Sequence, residues 1–464
     1  MRTNARNDSG IGTAVPILKQ RFGERCHTGE AIRRQHAHTL TWLPNEAPDA
    51  VVYAHTAADV QAIVGICHTH GVPIVPFGVG TSLEGHVNAP MGGISVDFSE
   101  MNEVIAVYDE DLMCVVEPGI TRKTLNEHLR DRGLFFPIDP GADATIGGMT
   151  ATRASGTNAV RYGTMRDNVI TLEVVLADGT LIKTASRAKK TAAGYDLTRL
   201  MVGSEGTLGL ITSVSLKLSG IPEAVSAAVC PFPSVKAACD ASILTIQSGI
   251  PVARIELLDA LQIKACNAYS KLDLPETPTL FLEFHGSEAS VAEQTAAVSE
   301  IAAEFGGGPF AFSTKAEERT KLWEARHDAY WAAIGLRPGA AGVATDVCVP
   351  ISRLAECVEE TRLDAERLGL LTPTAGHVGD GNFHTLVLLD NDDADERART
   401  ATFLERLAER ALRMDGTCTG EHGVGQGKAK YLRQELGAAV DVMAAIKTAL
   451  DPYNIMNPGK IITA

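Results

Sequence analysis

The spacing of apolar and polar residues predicts a chain in which helices and strands alternate. Apolar residues recur at helical intervals over residues 57–71, which end at a glycine, and the apolar run at 72–78 predicts a strand entering a glycine-rich loop. Three short apolar runs between residues 93 and 119 predict further strands, and an amphipathic helix follows them. Residues 171–184 predict a hairpin, because Asp178-Gly179 supplies the positive φ angles of a tight turn.

A second region of mixed elements begins near Ile221. A strand over residues 281–286, helical stretches over 315–334 and 394–414, and two strands around the loop 376–384 predict a separate, smaller α+β domain. We therefore expect an α+β fold in four parts: a helical arm (1–40), a first α+β domain (41–220), a second α+β domain (221–418) and a C-terminal segment (419–464).

Size and charge narrow the classes of function. A chain of 464 residues is too long for one hydrophobic core, which favours two or three domains. The 42 Lys and Arg residues against 57 Asp and Glu residues give a formal net charge of −15. This balance argues against nucleic acid and anionic membrane surfaces as partners, because both bind through an excess of basic residues.

The cysteines and the N-terminal residues indicate the cellular compartment of the protein. The nine cysteines are scattered without a C-x-x-C pair, which is typical of reduced thiols. The N-terminus lacks the apolar run of a secretory signal, and no run approaches the ~18–20 apolar residues of a membrane span. The first seven residues are basic but too short to indicate a transit peptide. We expect a cytoplasmic protein without a transmembrane segment.

Three glycine-rich stretches lie in the first α+β domain, at 76–86, 140–163 and 202–212. Successive backbone N–H groups and hydroxyls in the first stretch suit a pyrophosphate, although this stretch alone could equally be a tight turn. It is neither G-x-G-x-x-G nor a P-loop with lysine, which weakens nicotinamide and nucleoside triphosphate interpretations. Three such loops together favour a large dinucleotide that needs many close backbone approaches, and FAD is such a ligand.

Histidine and glutamate residues lie among glycines in two C-terminal stretches, 376–384 and 419–425. If these stretches meet, His377, His384 and Glu421 form an open metal site, and His422 remains as a base. The histidines lie seven residues apart across Gly-Asp-Gly, so this is not the H-E-x-x-H zinc signature. For His422, a fourth metal ligand or a neutral hydrogen-bonding histidine is the alternative. A flavin-free metallohydrolase built on the first three residues is a rival function.

The order of these motifs resembles that of FAD-linked 2-hydroxy-acid dehydrogenases in the vanillyl-alcohol-oxidase superfamily. The motifs are PFGVGTSLEGH, VEPG, PGADATIGG, ASGTN, RYG, GSEGTLGLIT, TDVCVP, GHVGDGNFH, GEHGVG and DPYNIMNPGKI, and the resemblance spans residues 40–462. Within the superfamily the chain is most similar to cytochrome-type D-lactate dehydrogenases and glycolate oxidase flavoprotein subunits. The resemblance implies a PCMH-type FAD-binding domain of two α+β subdomains, a ferredoxin-like α+β substrate-cap domain, and a C-terminal segment that returns to the FAD domain.

The resemblance also implies which residues bind FAD. They are Pro76, Gly78, Gly80, Thr81, Ser82, Gly85, His86, Pro118, Gly119, Pro140, Gly141, Ala144, Thr145, Gly148, Ser155, Gly156, Asn158, Glu205, Gly206, Ile211 and Asn457. Relatives that attach flavin covalently through the first loop have a histidine near the position of Thr81. Since this chain has threonine there, we expect non-covalent FAD.

The same resemblance implies a substrate site. His377, His384 and Glu421 would hold zinc or manganese, and His422 would take the hydroxyl proton while hydride passes to flavin N5. Arg326 would bind the substrate carboxylate, for which the planar guanidinium is suited. Its alternative is a surface arginine packed on aromatic side chains. Tyr330, one helical turn later, is a candidate for the same pocket.

The expected reaction is oxidation of a D-2-hydroxy acid, D-lactate first, to the 2-oxo acid. Relatives that act on 2-hydroxyglutarate have a lysine shortly before the TDVCVP-like strand, whereas residues 340–346 here contain none, which favours a monocarboxylate. Glycolate or another D-2-hydroxy acid, including D-2-hydroxyglutarate, remains an alternative, as does a non-catalytic flavin or electron-relay subunit of a larger oxidase.

The expected partners are the small substrate and an external electron acceptor, which could be a cytochrome, a quinone or an electron-transfer flavoprotein. A homodimer and peripheral attachment to a membrane through the electron acceptor are left open.

Overall fold

The computed structural model describes residues 6–462. The α-helices are α1 (Asp8–Phe22), α2 (Glu30–Gln35), α3 (Ala57–His70), α4 (Arg122–Arg130), α5 (Ile146–Thr152), α6 (Ala159–Tyr162), α7 (Met165–Asn168), α8 (Leu197–Met201), α9 (Val235–Gln247), α10 (Ala260–Ser270), α11 (Glu288–Glu304), α12 (Ala316–His327), α13 (Ala329–Ile334), α14 (Leu354–Leu368), α15 (Ala394–Arg413), α16 (Leu432–Leu436) and α17 (Ala439–Leu450). Short 3-10 helices lie at Gly23–Arg25, Ile351–Arg353 and Ala429–Tyr431.

The strands alternate with these helices along most of the chain. They are β1 (Cys26–His27), β2 (Ala50–Tyr53), β3 (Ile74–Phe77), β4 (Ile94–Asp97), β5 (Val104–Tyr108), β6 (Met113–Val116), β7 (Leu134–Phe135), β8 (Val169–Val175), β9 (Leu181–Lys183), β10 (Leu210–Lys217), β11 (Ser219–Gly220), β12 (Ala224–Pro231), β13 (Val252–Leu258), β14 (Thr279–Gly286), β15 (Ala311–Ser313), β16 (Ala341–Ala344), β17 (Val347–Cys348), β18 (Thr374–Gly376) and β19 (Asn382–Leu389).

The chain divides into two compact units. The first consists of residues 1–155, 163–221 and 421–464, and the second of residues 156–162 and 222–420. The sequence prediction divided the chain at 220/221 and 418/419, and did not anticipate that residues 156–162 group with the second unit.

The first unit contains two main sheets, each with its own core. In the first sheet, in the order β1-β2-β4-β3, strands β2, β4 and β3 run parallel. The second sheet is antiparallel, in the order β5-β6-β10-β8-β9. Helices α1 and α3 pack on the first sheet, and Leu18 of α1 is buried with Val60 and Ile63 of α3. The N-terminal helix is therefore built into this core, which differs from the separate arm expected from its polar sequence.

The local sequence signals in the first unit act as predicted. Thr56 caps α3 by accepting a hydrogen bond from the Asp59 N–H, and the helix ends at Gly71. Strands β8 and β9 form the predicted hairpin, and Gly179 in its turn has the expected positive φ, +86°, whereas Asp178 does not have a positive φ. These signals succeed because they depend on residues that are close in sequence.

The second unit is built on one large antiparallel sheet. Its order is β15-β12-β14-β13-β18-β19-β16, and β17 also pairs with β19. Helices α9, α11, α14 and α15 cover its core, in which Phe284, Phe383 and Phe403 are fully buried. The helical stretch predicted at 315–334 is interrupted at Asp328, between α12 and α13.

Two sequence expectations on cysteines and membranes can be compared with the described residues. Among the described residues none of the nine cysteines forms a disulfide, as expected for reduced thiols, and all but Cys348 are buried. In the part of the chain that the structure describes, no helix has both the length and the apolar character needed to cross a membrane.

Candidate active site

The glycine-rich loops of the first unit converge, as a large dinucleotide would require. The loop 76–86 follows β3, and a Cβ added to Gly78 would lie 2.3 Å from Thr145 Oγ1. Thr145 caps α5 by accepting a hydrogen bond from the Gly148 N–H. A Cβ on Gly206 would lie 2.4 Å from Pro76 Cγ, so the third loop closes on the first. A side chain at either glycine would collide with a side chain of the neighbouring loop, which accounts for glycine at both positions.

Asn457 joins this group of loops from the C-terminal segment. Its side chain is 1% exposed, and its Nδ2 donates to the carbonyls of His86, at 3.2 Å, and Glu205, at 2.7 Å. Among the described residues, Asn457 Oδ1 and Ser82 Oγ are buried without a hydrogen-bond partner. Buried polar atoms are rarely left unpaired, so these two atoms fit a site that a polar ligand completes.

Glu205 has a structural role that the sequence did not indicate. Its carboxylate accepts hydrogen bonds from the Val424 N–H, at 2.6 Å, and the Gly425 N–H, at 2.8 Å, and lies 3.3 Å from His86 Nε2. Burial raises the pKa of the Glu205 carboxyl, but His86 and the two backbone N–H groups outweigh this, so the pKa lies below its ordinary value. Glu205 therefore fixes the loop that follows Glu421 and His422.

Four further predicted FAD residues lie in three other places. The segment around Pro118 and Gly119 runs beside the start of α5, where the Gly147 N–H donates to the Pro118 carbonyl at 2.7 Å. Ile211 lies in β10 and is buried in the core of the second sheet. Asn158 belongs to the second unit, where its Oδ1 accepts a hydrogen bond from Arg254 Nε at 2.8 Å. Their contact with FAD stays a prediction.

The second unit brings His377 and His384 together, as a metal site at these residues would require. His377 directly follows β18 and His384 lies in the adjacent strand β19, and their ring centroids are 5.2 Å apart. His384 Nδ1 lies 3.0 Å from the Thr345 carbonyl oxygen, and His377 Nδ1 lies 2.6 Å from Glu256 Oε1. A carbonyl can only accept, and an ionised carboxylate likewise, so both Nδ1 atoms carry hydrogen, and in the neutral form of each ring Nε2 has the lone pair that a metal needs.

Glu421 completes this group. One ligand atom from each of His377, His384 and Glu421 lies within 4.8 Å of the other two. Two imidazoles and one carboxylate form a donor set suited to zinc or manganese, with coordination positions left for a substrate.

Asp346, which sequence reasoning missed, supports the chain just before Glu421. Its Oδ1 accepts a hydrogen bond from Asn382 Nδ2 and its Oδ2 accepts one from Thr419 Oγ1, each at 2.8 Å. A Cβ on Gly420 would lie 2.1 Å from Asn382 Nδ2, which accounts for glycine at this position. Asp346 lies in the TDVCVP motif, to whose carboxylate the family resemblance assigned no role.

Arg326 contacts a second missed residue, Glu256. Arg326 Nε and Nη2 donate to Glu256 Oε2 at 2.9 and 2.6 Å, while Glu256 Oε1 accepts from His377. Burial raises the pKa of Glu256, but His377 and Arg326 outweigh it, and the pKa lies below its ordinary value. A carboxylate in the centre of the apolar strand VARIELL was the available sequence signal.

The two other predicted catalytic residues, Tyr330 and His422, are partly buried. Tyr330 lies in α13, and a Cβ on Gly342 would lie 3.0 Å from its hydroxyl oxygen. Burial raises the pKa of the Tyr330 hydroxyl, which keeps this side chain protonated at neutral pH. Their catalytic roles stay predictions.

Two family models match the chain. The FAD binding domain model matches residues 48–185, and the model of the C-terminal domain of FAD linked oxidases matches residues 221–461. The second match alone covers more than half of the chain. A flavin-free metallohydrolase is therefore the wrong interpretation of the metal-like cluster.

Several curated proteins are similar over nearly the whole chain. A probable mitochondrial D-lactate dehydrogenase of Danio rerio is 54% identical over 95% of this chain and 89% of its own length. The mitochondrial D-lactate dehydrogenase [cytochrome] of Arabidopsis thaliana is 51% identical over 89% of this chain and 73% of its own length. The glycolate oxidase subunit GlcD of Bacillus subtilis is 36% identical, over 94% of each chain.

Solved structures with this fold are more distant in sequence. The structure of p-cresol methylhydroxylase with bound substrate has a TM-score of 0.82 at 18% identity, over 98% of this chain and 97% of that chain. A 4-ethylphenol oxidase from Gulosibacter chungangensis has a TM-score of 0.79 at 18% identity, over 98% of both chains. These likenesses concern the fold, and they confirm the predicted PCMH-type α+β architecture.

Proposed function

Because this chain belongs to the family of FAD linked oxidases, we propose that it is a flavin-dependent dehydrogenase that oxidises a D-2-hydroxy acid to the 2-oxo acid. D-lactate is the first substrate to test, since relatives with 40–54% identity are named D-lactate dehydrogenases. The observation that carries the proposal is the group of His377, His384 and Glu421, whose ligand atoms lie within 4.8 Å of one another.

The residues of the first unit fit FAD held without a covalent bond. The loops approach closely at Gly78 and Gly206, where a Cβ would collide with Thr145 and Pro76, and Ser82 and Asn457 offer buried polar atoms beside these loops. His86, the histidine nearest to Thr81 in sequence, lies against the Glu205 carboxylate. FAD, when bound, supplies an acceptor for the two electrons of the oxidation.

The metal site would be formed by His377, His384 and Glu421. The Nδ1 contacts of both histidines support this assignment, because in the neutral rings they place the hydrogen on Nδ1 and the lone pair on Nε2. A divalent zinc or manganese ion, when bound, supplies a Lewis acid that orients a 2-hydroxy acid and acidifies its hydroxyl group.

Arg326 and His422 would act on the substrate from the protein side. Glu256 occupies Arg326 Nε and Nη2, and no hydrogen bond of Nη1 is found within the described residues, so this edge is available to a substrate carboxylate. His422 would accept the proton of the 2-hydroxyl group as general base. Tyr330 would line the same pocket.

Electrons would leave the reduced flavin for an external acceptor. Three of the relatives carry the word cytochrome in their names, which favours a cytochrome over a quinone or an electron-transfer flavoprotein as the first acceptor to test. Glycolate is the alternative substrate, supported by the similarity to GlcD.

Anaerobic mixing of the purified protein with single substrates tests the proposal. The flavin absorbance near 450 nm should bleach with D-lactate, and more slowly or not at all with L-lactate, glycolate, D-malate and D-2-hydroxyglutarate. His422→Ala should keep FAD and metal but bleach at least 100-fold more slowly, because general base catalysis contributes about 10²–10⁴-fold. His128→Ala, on the exposed face of α4, is the matched control. Bleaching by L-lactate alone would contradict the proposed D-stereochemistry, and a wild-type bleaching rate in His422→Ala would contradict the role of His422 as base. A protein whose flavin is bleached by none of these acids would favour the non-catalytic relay subunit.

A further inference from the structure

Glu256 links two residues that the proposed function uses separately. Its Oε1 lies 2.6 Å from His377 Nδ1, and its Oε2 accepts both contacts from Arg326. One carboxylate thus divides its oxygens between a candidate metal ligand and the candidate carboxylate-binding residue.

The position of Glu256 makes this arrangement rigid. The residue lies in the middle of β13, which pairs with β14 on one side and with β18 on the other. His377 follows β18 directly, and Arg326 lies in the last turn of α12. Glu256 is 0% exposed, so water does not compete for its oxygens.

We propose that Glu256 is a positioning residue that couples metal affinity to substrate-carboxylate binding, by holding the His377 ring with one oxygen and the Arg326 guanidinium with the other. This inference rests on the proposed function, in which His377 binds the metal and Arg326 binds the substrate carboxylate. The contact at Oε1 fixes hydrogen on His377 Nδ1 and directs Nε2 to the metal. The contacts at Oε2 fix the guanidinium plane and leave Nη1 for the substrate.

Glutamine at this position tests the idea because it preserves the shape but has only one acceptor oxygen. His377 Nδ1–H and Arg326 both donate, so one of them must face the amide NH₂ group. If that partner is His377, the hydrogen moves to Nε2 and the ring can no longer ligate a metal. If it is Arg326, the guanidinium loses its orientation. The two effects together weaken both functions.

The second unit contains a matched control one strand away. Glu283 in β14 is also a buried carboxylate, with Oε1 2.8 Å from His285 Nε2 and 3.5 Å from Arg254 Nε. His285 in turn lies 2.7 Å from the Tyr162 hydroxyl. Glu283→Gln therefore disturbs a similar buried cluster, and its histidine is not part of the metal-like group.

Manganese binding provides a readout that does not require turnover. The FAD-loaded proteins would be freed of metal by chelation and titrated with Mn²⁺, while free Mn²⁺ is followed by electron paramagnetic resonance. We expect Glu256→Gln to bind Mn²⁺ about 10- to 100-fold more weakly than wild type, which is the usual effect of losing such an outer contact. Glu283→Gln should stay within about threefold of wild type, and Arg326→Gln should lose far less Mn²⁺ affinity than Glu256→Gln.

Steady-state kinetics with D-lactate at saturating Mn²⁺ test the second part of the proposal, the effect of Glu256 on substrate-carboxylate binding. Glu256→Gln and Arg326→Gln should both raise KM at least tenfold, with a smaller change in kcat, because both disturb carboxylate binding. Glu256→Asp keeps two acceptor oxygens at shorter reach and should recover part of the Mn²⁺ affinity. Should the glutamine variant not fold, the aspartate variant carries the test, with an expected loss of at least threefold.

The outcomes separate this inference from the proposed function. Wild-type Mn²⁺ affinity in a folded Glu256→Gln protein would overturn the inference, as would weaker Mn²⁺ binding with an unchanged KM for D-lactate. A wild-type protein that no 2-hydroxy acid bleaches would overturn the proposed function, while the Mn²⁺ titration would still test the contact with His377. A wild-type protein that binds no Mn²⁺ would overturn the inference and exclude manganese from the site formed by His377, His384 and Glu421.

Discussion

The carboxylate of Glu205 should determine the stability of the loop that follows His422. The substitution Glu205→Gln keeps the size of the side chain but leaves one acceptor oxygen for two backbone donors, the Val424 and Gly425 N–H groups. One donor must then face the amide NH₂ group. Hydrogen bonds to a charged acceptor contribute about 1.5–3 kcal/mol each, and a buried unsatisfied donor costs about 1–3 kcal/mol. We therefore expect the loop to be destabilised by about 2–4 kcal/mol.

Hydrogen exchange of the peptide covering residues 421–427 measures this effect. A loss of about 2–4 kcal/mol corresponds to roughly 30- to 1,000-fold faster exchange of the Val424 and Gly425 amides at pH 7. Glu127→Gln removes the same charge from the exposed face of α4 and should leave these amides unchanged. Wild-type exchange rates in Glu205→Gln would refute the assignment of this carboxylate as the anchor of the loop.

The effect should also depend on pH. The pKa of Glu205 in the folded protein lies below its ordinary value of 4.5, so the charged form is favoured by folding. The stability that it contributes is present in full above pH 4.5 and is lost as the pH falls through the lower, folded-state pKa. The difference between wild type and Glu205→Gln should therefore shrink below pH 4.5. A difference that grows on acidification would contradict this reasoning.

Three further predictions concern Lys460, Gly78 and the cysteines. Burial lowers the pKa of Lys460 to about 7 from 10.5, so the unfolded chain binds more protons than the folded protein between pH 7 and 10.5, and the contribution of Lys460 to stability rises with pH there by up to about 1.4 kcal/mol per pH unit. Denaturant unfolding from pH 6 to 9.5 should show this rise in wild type and not in Lys460→Met, and parallel stability curves for the two proteins would contradict it. Gly78→Ala should reduce FAD content, measured as the ratio of absorbance at 450 and 280 nm, because its Cβ would lie 2.3 Å from Thr145 Oγ1. Gly65→Ala has open space around the added Cβ and should retain FAD, and equal FAD content in both variants would exclude the contact between residue 78 and Thr145 from the cofactor site. A thiol reagent should modify at most one cysteine per native chain, Cys348, and all nine after denaturation, and fast native labelling of two or more thiols would contradict the burial of the other eight.

Much of the fold could be predicted because its signals are local or ordered along the chain. Thr56 and Gly71 delimit α3, and Asp178-Gly179 forms the turn of the hairpin, since capping and turn formation involve residues a few positions apart. The N-terminal helix was harder to assign, because its apolar residues Leu18 and Phe22 gain their burial from α3 and the first sheet.

The candidate site likewise combines features that the sequence specifies with features that only the tertiary structure specifies. The sequence by itself determined the donor types, since His377, His384 and Glu421 stand in glycine-rich stretches whose order along the chain is characteristic of the family. Only the tertiary structure decided how these donors are oriented. Glu256 lies 121 positions from His377 in sequence, and Glu205 lies 219 from Val424, yet each forms a hydrogen bond within the fold. A buried carboxylate finds its partners through strand pairing and loop packing, which no local pattern specifies, and those partners fix its charge and the direction of the ring beside it.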